Sequence, residues 1–190
     1  MGTGRIEAFS DGVIAVIITI MVLDLKAPLD ARWSSLTGLT PSLAIYALSF
    51  LTVGIFWVNH HHLLHGAVRA DGRLLWANLL LLFVLSLVPF VTAYVAGQRG
   101  APLPLAVYAL LMALASASFT VCTWVVSGQR TAGDPLEPRF RNFFVKGVVV
   151  ATLYLLAIPL AFLATPAAYA IFVLIPLSYA WPERKFAEAA

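Results

Sequence analysis

Residues Arg5–Leu25 read RIEAFSDGVIAVIITIMVLDL. The stretch is long and apolar enough to cross a bilayer as a helix, which takes about 20 residues. It nevertheless carries Arg5, Glu7, Ser10 and Asp11 at its start and Asp24 at its end. An ionised Asp or Arg near the centre of a spanning helix costs about 2.5–3.5 kcal/mol even on the lenient insertion scale. An interfacial position costs less, but a plain anchor gains nothing from such residues. They call for partners elsewhere in the chain.

The composition sets where those partners must come from. The chain has 190 residues, 61% apolar and 11% charged, with a mean hydropathy of +0.91. A soluble domain carries roughly 25% charged residues, so the polar surface needed to coat a water-soluble globule is missing. The sequence reads as an all-α integral membrane protein. Net charge +3 and a pI near 9.2 do not point to nucleic acid, because the basic residues are scattered between apolar spans and set topology instead. The single cysteine, Cys122, excludes an intrachain disulfide framework.

Six segments qualify as membrane helices, giving a six-helix unit over residues 1–190 with nothing to mark a second domain. They run from about Ile6 to Leu25, Pro41 to Leu64, Leu74 to Val95, Leu103 to Ser127, Phe143 to Leu163 and Pro166 to Trp181. Pro89, Pro159 and Pro176 fall inside spans and should kink them. Ala164–Pro166 is the only break between the last two, which predicts a tight helical hairpin. The polar run Ser127–Asn142 reads as a solvated connector. A cytoplasmic N-terminus puts Arg5, Arg69, Arg73, Arg130, Arg139, Arg141, Lys146, Arg184 and Lys185 inside, with Lys26, Arg32 and Arg99 outside. That satisfies the positive-inside rule and returns the C-terminus to the cytoplasm. A cleaved signal peptide fits poorly, since Asp11 interrupts the apolar core and no small-x-small site follows.

At 100° per residue, Arg5, Phe9, Gly12, Val16, Ile20 and Leu23 share one stripe of the first helix, with Thr19 on its flank. Ser10 and Asp11 point well away from it. The plain reading makes the stripe ordinary packing and Asp11 an N-terminal cap. Against this, Asp11 lies several residues inside the helix, and the second span offers polar partners in FWVNHHHLLH (Phe56–His65). That segment supplies Trp57, Asn59, His60, His61, His62 and His65. Consecutive histidines diverge by about 100°, so three in a row cannot hold one metal. His61 and His65, at i and i+4, form half a site that no further His and no Cys pair completes. No metal or cofactor is expected. The histidines are either interfacial or hydrogen-bonded, with Asn59 and Trp57, to Ser10 and Asp11. The third span places Trp76 and Asn78 at the same level, Trp76 as an aromatic anchor and Asn78 in a hydrogen-bond network.

These residues resemble a known family. R-x-x-x-F-S-D (Arg5, Phe9, Ser10, Asp11) is similar to the signature opening the first helix of the lysosomal potassium channel family, transmembrane protein 175, and its bacterial homologues. Phe56-Trp57 with His60-His61, and Asn78-Leu79 with Pro89-Phe90, look like that family as well. The similarity runs the full length. It implies a leak-type, potassium-selective cation channel in the cell membrane, built as a homotetramer of single six-helix repeats, with K⁺ and other monovalent cations as permeant ions. It further implies that the first helix lines a central pore, with Val16, Ile20 and Leu23 as the constriction and Thr19 beside them. Arg5, Ser10 and Asp11 would hold that helix against its neighbours. The fourth or sixth helix would face lipid. Val16 departs from the family, being smaller than the isoleucine expected there. No T-V-G-Y-G carbonyl filter is present.

Other classes remain in view. A proton- or ion-coupled transporter would use Asp11 and the second-span histidines as a relay, but no pair of Gly/Pro-broken helices recurs in corresponding halves. A membrane enzyme or haem protein would use the histidines as ligands. No nucleophile–base pair, phosphate loop or carboxylate dyad supports catalysis.

Overall fold

The structure is a computed structural model that describes residues 2–98, 100–131 and 134–180. Arg99, Trp181, Arg184 and Lys185, which enter the span and charge assignments above, lie outside the described residues. Helix α1 covers Thr3–Ile20 and tightens into a 3-10 turn over Met21–Asp24. A short α2 (Trp33–Thr37) precedes α3 (Thr40–His65), which has a proline in its first turn, where the missing N–H costs nothing. Helix α4 (Gly72–Ser86) starts on Asp71, whose carboxylate accepts the Leu74 N–H at 3.0 Å. That bond, with the Arg69 guanidinium, holds the Asp71 carboxyl below the usual carboxylate range. Helices α5 (Val88–Gly97), α6 (Pro102–Ser127), α7 (Glu137–Leu163) and α8 (Thr165–Ala180) complete the described chain.

The six apolar spans of the sequence are present, five of them long enough to cross a bilayer. Helix α8 has 16 described residues and runs up to Ala180, where the described chain ends. The third span is two helices broken at Leu87, because Pro89 in the first turn of α5 cannot donate to the carbonyl four residues back. Pro159 and Pro176 sit inside α7 and α8, which continue past them. Ala164 alone separates those two helices, giving the tight hairpin read from the sequence.

Two segments depart from the sequence reading. The loop between α1 and α3 contains α2, which no periodicity announced. The run Ser127–Asn142 is less a solvated connector than a docked corner. Its last residues already belong to α7. The Arg130 side chain is only 9% exposed: it bonds Asp134 at 2.6 Å, donates to the Gly66 carbonyl and lies over the Phe140 ring at 4.7 Å. Gln129 Oε1 accepts from the Val68 and Arg69 N–H groups, while its amide donates to the Arg69 carbonyl. The polar residues thus staple the α6–α7 turn to the α3–α4 turn.

Helix α6 is the hub of the subunit, packed against α3, α4, α5 and above all α7. Only a stripe of it, including Leu110, Leu114, Val121 and Trp124, reaches the surface. The small residues of Ala113–Thr120 explain the close approach of α7, since Ala113, Ala115 and Ser116 are buried. Gly147 of α7 completes it, lying so near Thr120 that a Cβ there would overlap the threonine hydroxyl. Among the described residues, helix α1 packs by contrast on α3, α4 and α5 and leaves its other face exposed.

Gly147→Ala should destabilise the subunit by about 1–3 kcal/mol through overpacking. Adding Thr120→Ala should recover most of that loss by removing the overlapping hydroxyl. Thermal melts of the two single variants and the double variant in detergent measure the coupling. Additive losses would show that α6 and α7 do not meet at this pair.

Candidate functional site

The buried face of α1 consists of Ile6, Ser10, Ile14, Ile17 and Met21. Ser10 is wholly buried and is the point where α1 is tied to its neighbours. Asn78 Nδ2 of α4 donates to Ser10 Oγ at 2.9 Å, and Ser10 in turn donates to the Ile6 carbonyl at 2.8 Å. His60 Nε2 of α3 lies 2.7 Å from Asn78 Oδ1. An amide oxygen only accepts, so the imidazole must carry its proton on Nε2. Nδ1 then has no hydrogen-bond partner among the described residues. Every donor in the line points the same way, from α3 through α4 into α1. The amide of Asn78 interrupts any titratable path, and the line ends on a backbone carbonyl. It ties the three helices together.

Asp11 is eight positions past the start of α1 and caps nothing. Its Oδ1 accepts the Trp57 indole N–H at 2.8 Å. Neither Ser10 nor Asn59 binds it: Asn59 donates to the Ile55 carbonyl of its own helix. Arg5 and Phe9 are exposed on the opposite face of α1, and among the described residues the Arg5 guanidinium has no carboxylate partner. His61 turns to Glu7 instead, with Nδ1 at 2.7 Å from Oε1, and His65 Nδ1 approaches the same oxygen at 3.3 Å. The structure therefore brings together Ser10 with Asn78 and His60, Asp11 with Trp57, and Glu7 with His61 and His65. Trp76 stands exposed at the same end.

The outer face of α1 carries the apolar stripe. Val16 is 56% exposed, Ile20 40% and Leu23 77%, although the opposite face is packed. Leu23 belongs to the 3-10 turn, and this changes its direction. Three residues of an α-helix turn 300°, whereas three of a 3-10 helix turn a full circle. Leu23 therefore lines up with Ile20 instead of sitting about 60° round from it, and it stays on the stripe in either geometry. The Thr19 hydroxyl on the flank donates to the Ala15 and Val16 carbonyls at 2.9 and 3.0 Å. Its oxygen lone pairs remain free on the exposed side.

A second polar tie escaped sequence reasoning. Thr92 of α5 donates to Ser49 of α3 at 2.8 Å, and Ser49 lies 3.2 Å from the Tyr108 hydroxyl of α6. Isolated hydroxyls in apolar helices give no signal until the helices are placed side by side. Glu7 did have one, since the antiparallel run of α1 and α3 puts it level with the i, i+4 histidines.

These features define a multi-pass helical membrane protein whose first helix is tied down on one face and bare on the other. The family model described as endosomal/lysosomal potassium channel TMEM175 matches residues 5–89. A potassium channel of Chryseobacterium sp. (strain P1-3) is 37% identical over 185 residues, covering 97% of this chain and 96% of that protein. A potassium channel of Streptomyces collinus is 36% identical over 187 residues, covering 93% and 91%. The crystal structure of a lysosomal potassium-selective channel TMEM175 homolog from Chamaesiphon minutus superposes with a TM-score of 0.84 at 30% identity, covering 94% of this chain and 96% of that one. The chain belongs to the TMEM175 potassium channel family. Membership in a channel family sets aside the membrane-enzyme reading.

Asn78→Leu should strand the Ser10 oxygen and the His60 N–H in an apolar setting. Each unsatisfied group costs about 1–3 kcal/mol. The variant should melt well below the parent in detergent, while Asn59→Leu, which loses only a bond within its own helix, should melt close to it. A similar fall for both would show that the line through Asn78 carries no special weight.

Proposed function

We propose that four copies of this chain form a potassium-selective, leak-type cation channel, with the bare stripe of α1 from each copy facing a central axis. One stripe cannot enclose a pore, so several copies must converge. The observation that carries this reading is the alignment of Val16, Ile20 and Leu23 on the unpacked face of α1. Each residue then gives a ring. Val16 and Ile20 stack at about 6 Å at 1.5 Å per residue. Ile20 and Leu23 would stack at about 4.5 Å in a continuous α-helix. The 3-10 rise of about 2.0 Å widens that step to about 6 Å as well.

An apolar ring gives an ion nothing in exchange for its water, so passage requires the ion to shed part of its shell or the ring to open. K⁺ holds its hydration less strongly than Na⁺ and meets the smaller barrier. The free lone pairs of Thr19 replace a lost water beside the Ile20 ring. Arg5, Phe9 and Gly12 continue the same face towards the end of the pore. Ser10, Asp11, Trp57, His60 and Asn78 hold the helix in position.

The cell membrane is the site of action, with K⁺ and other monovalent cations as the permeating partners. The N- and C-termini face the cytoplasm. This orientation is supported by the basic residues at the end where α1 starts and α3 finishes, Arg5, Arg69, Arg73 and Arg130, against Lys26 and Arg32 at the other.

Native mass spectrometry in mild detergent should find a tetramer; a stable monomer would remove the basis for the pore. In proteoliposomes under K⁺ and then Na⁺ gradients, Ile20→Ala and Leu23→Ala should raise flux and reduce the preference for K⁺. Val16→Ala should do less, because the valine ring is already wider. Tetrameric Ile20→Ala and Leu23→Ala channels with parental conductance and selectivity would place the constriction elsewhere.

A further inference from the structure

We propose that Glu7, His61 and His65 form a binding site for one divalent transition-metal ion per subunit, Zn²⁺ being the probe of choice. The three side chains come from two helices, and their ligand atoms all lie within 4.8 Å of one another. Glu7 Oε1 is 2.7 Å from His61 Nδ1 and 3.3 Å from His65 Nδ1, while the two rings lie with centroids 4.2 Å apart. Zn–N and Zn–O bonds of about 2.0–2.1 Å in tetrahedral geometry put neighbouring ligand atoms about 3.4 Å apart. The Glu7–His65 pair already has that spacing. The Glu7–His61 pair needs to open by under about 1 Å, within the reach of a glutamate and of a ring that is partly exposed.

The chemistry selects the class of ion. Two imidazoles and one carboxylate suit zinc and its transition-metal neighbours, whereas Mg²⁺ and Ca²⁺ take shells made of oxygen. His65 Nδ1 also lies 3.2 Å from the His61 carbonyl, so ligation through Nδ1 gives up that contact and places the proton of each ring on Nε2. The spacing also fits: His61 and His65 stand one turn apart on one face of α3, and the third ligand comes from the facing helix. With three protein ligands and partial exposure, water completes the shell. Occupation would clamp the first helix to the second span close to the Ser10 and Asp11 ties, so the ion is a cross-link within the subunit and has no substrate to activate.

Binding can be measured without ion flux, so the site stands or falls apart from the channel reading. Tag-free protein should take up one Zn²⁺ per subunit by calorimetry and elemental analysis, with no comparable uptake of Mg²⁺. Saturating Zn²⁺ should raise the melting temperature. Losing a mere outer-shell partner weakens metal sites about 10–100-fold, so removing a ligand by Glu7→Gln or His65→Ala should weaken binding by about 100-fold or more and abolish the thermal shift. His65 is exposed, so His65→Ala keeps the fold and tests the site even if Glu7→Gln does not assemble. A Kd for Zn²⁺ weaker than about 1 mM in the parent, or full stoichiometry retained in His61→Ala/His65→Ala, would overturn the proposal.

Discussion

A polar side chain inside a bilayer has no water to turn to, and nearly everything about this subunit follows from how Ser10 meets that constraint. Its hydroxyl donates to the Ile6 carbonyl of its own helix and accepts from Asn78 of α4, and Asn78 is held in turn by His60 of α3. In a hydrocarbon setting apolar side chains gain little by preferring one another over lipid. Apolar packing alone would let α1 turn about its axis or slide along α3. The directed line of hydrogen bonds fixes both rotation and height. Once rotation is fixed, the face bearing Val16, Ile20 and Leu23 is fixed as well.

The same division recurs at the far side of the subunit. The Ser49–Thr92–Tyr108 tie joins α3, α5 and α6 within the apolar core, and the Arg130 and Gln129 corner joins the two turns at the end where α3 finishes. Between these ties the contacts are close but nondirectional, as in the α6–α7 pair around Gly147. Position is set by a few polar groups and density by small residues.

Much of this was legible in the sequence. Six apolar runs and their prolines mark the helices because length and hydropathy are all a bilayer demands. The 3.6-residue period separates the Ser10 face from the Val16 face with no knowledge of any neighbour. Asn78 and the second-span histidines stand out as polar groups in apolar runs. Which histidine pairs with which acid did not follow, because that depends on helix rotation by tens of degrees, and Glu7 took His61 while Trp57 took Asp11. The family signature groups Arg5 with Ser10 and Asp11, yet Arg5 is exposed on a different face of α1. The 3-10 turn at Met21–Asp24 was hidden for a similar reason: no residue there forbids an α-helix. The corner at Ser127–Asn142 reads as solvent-exposed loop because its docking rests on two side chains, Gln129 and Arg130, that bond backbone atoms of a turn some sixty residues away.

The distribution of ties along α1 has a mechanical consequence. Ile6 to Asp11 are held by short directed bonds, while Ile14 and Ile17 rest on apolar surface that resists separation far more than sliding, and Met21 adds only a long hydroxyl–sulfur contact with Thr92 at 4.0 Å. A rigid rod fixed near one end and greased along the rest is a lever with its fulcrum at Ser10. Leu23 sits about 21 Å from that fulcrum, summing the α and 3-10 rises. A tilt of about 10° would carry its side chain sideways by roughly 4 Å, on the scale of a methyl group's diameter, while Ser10 barely moves.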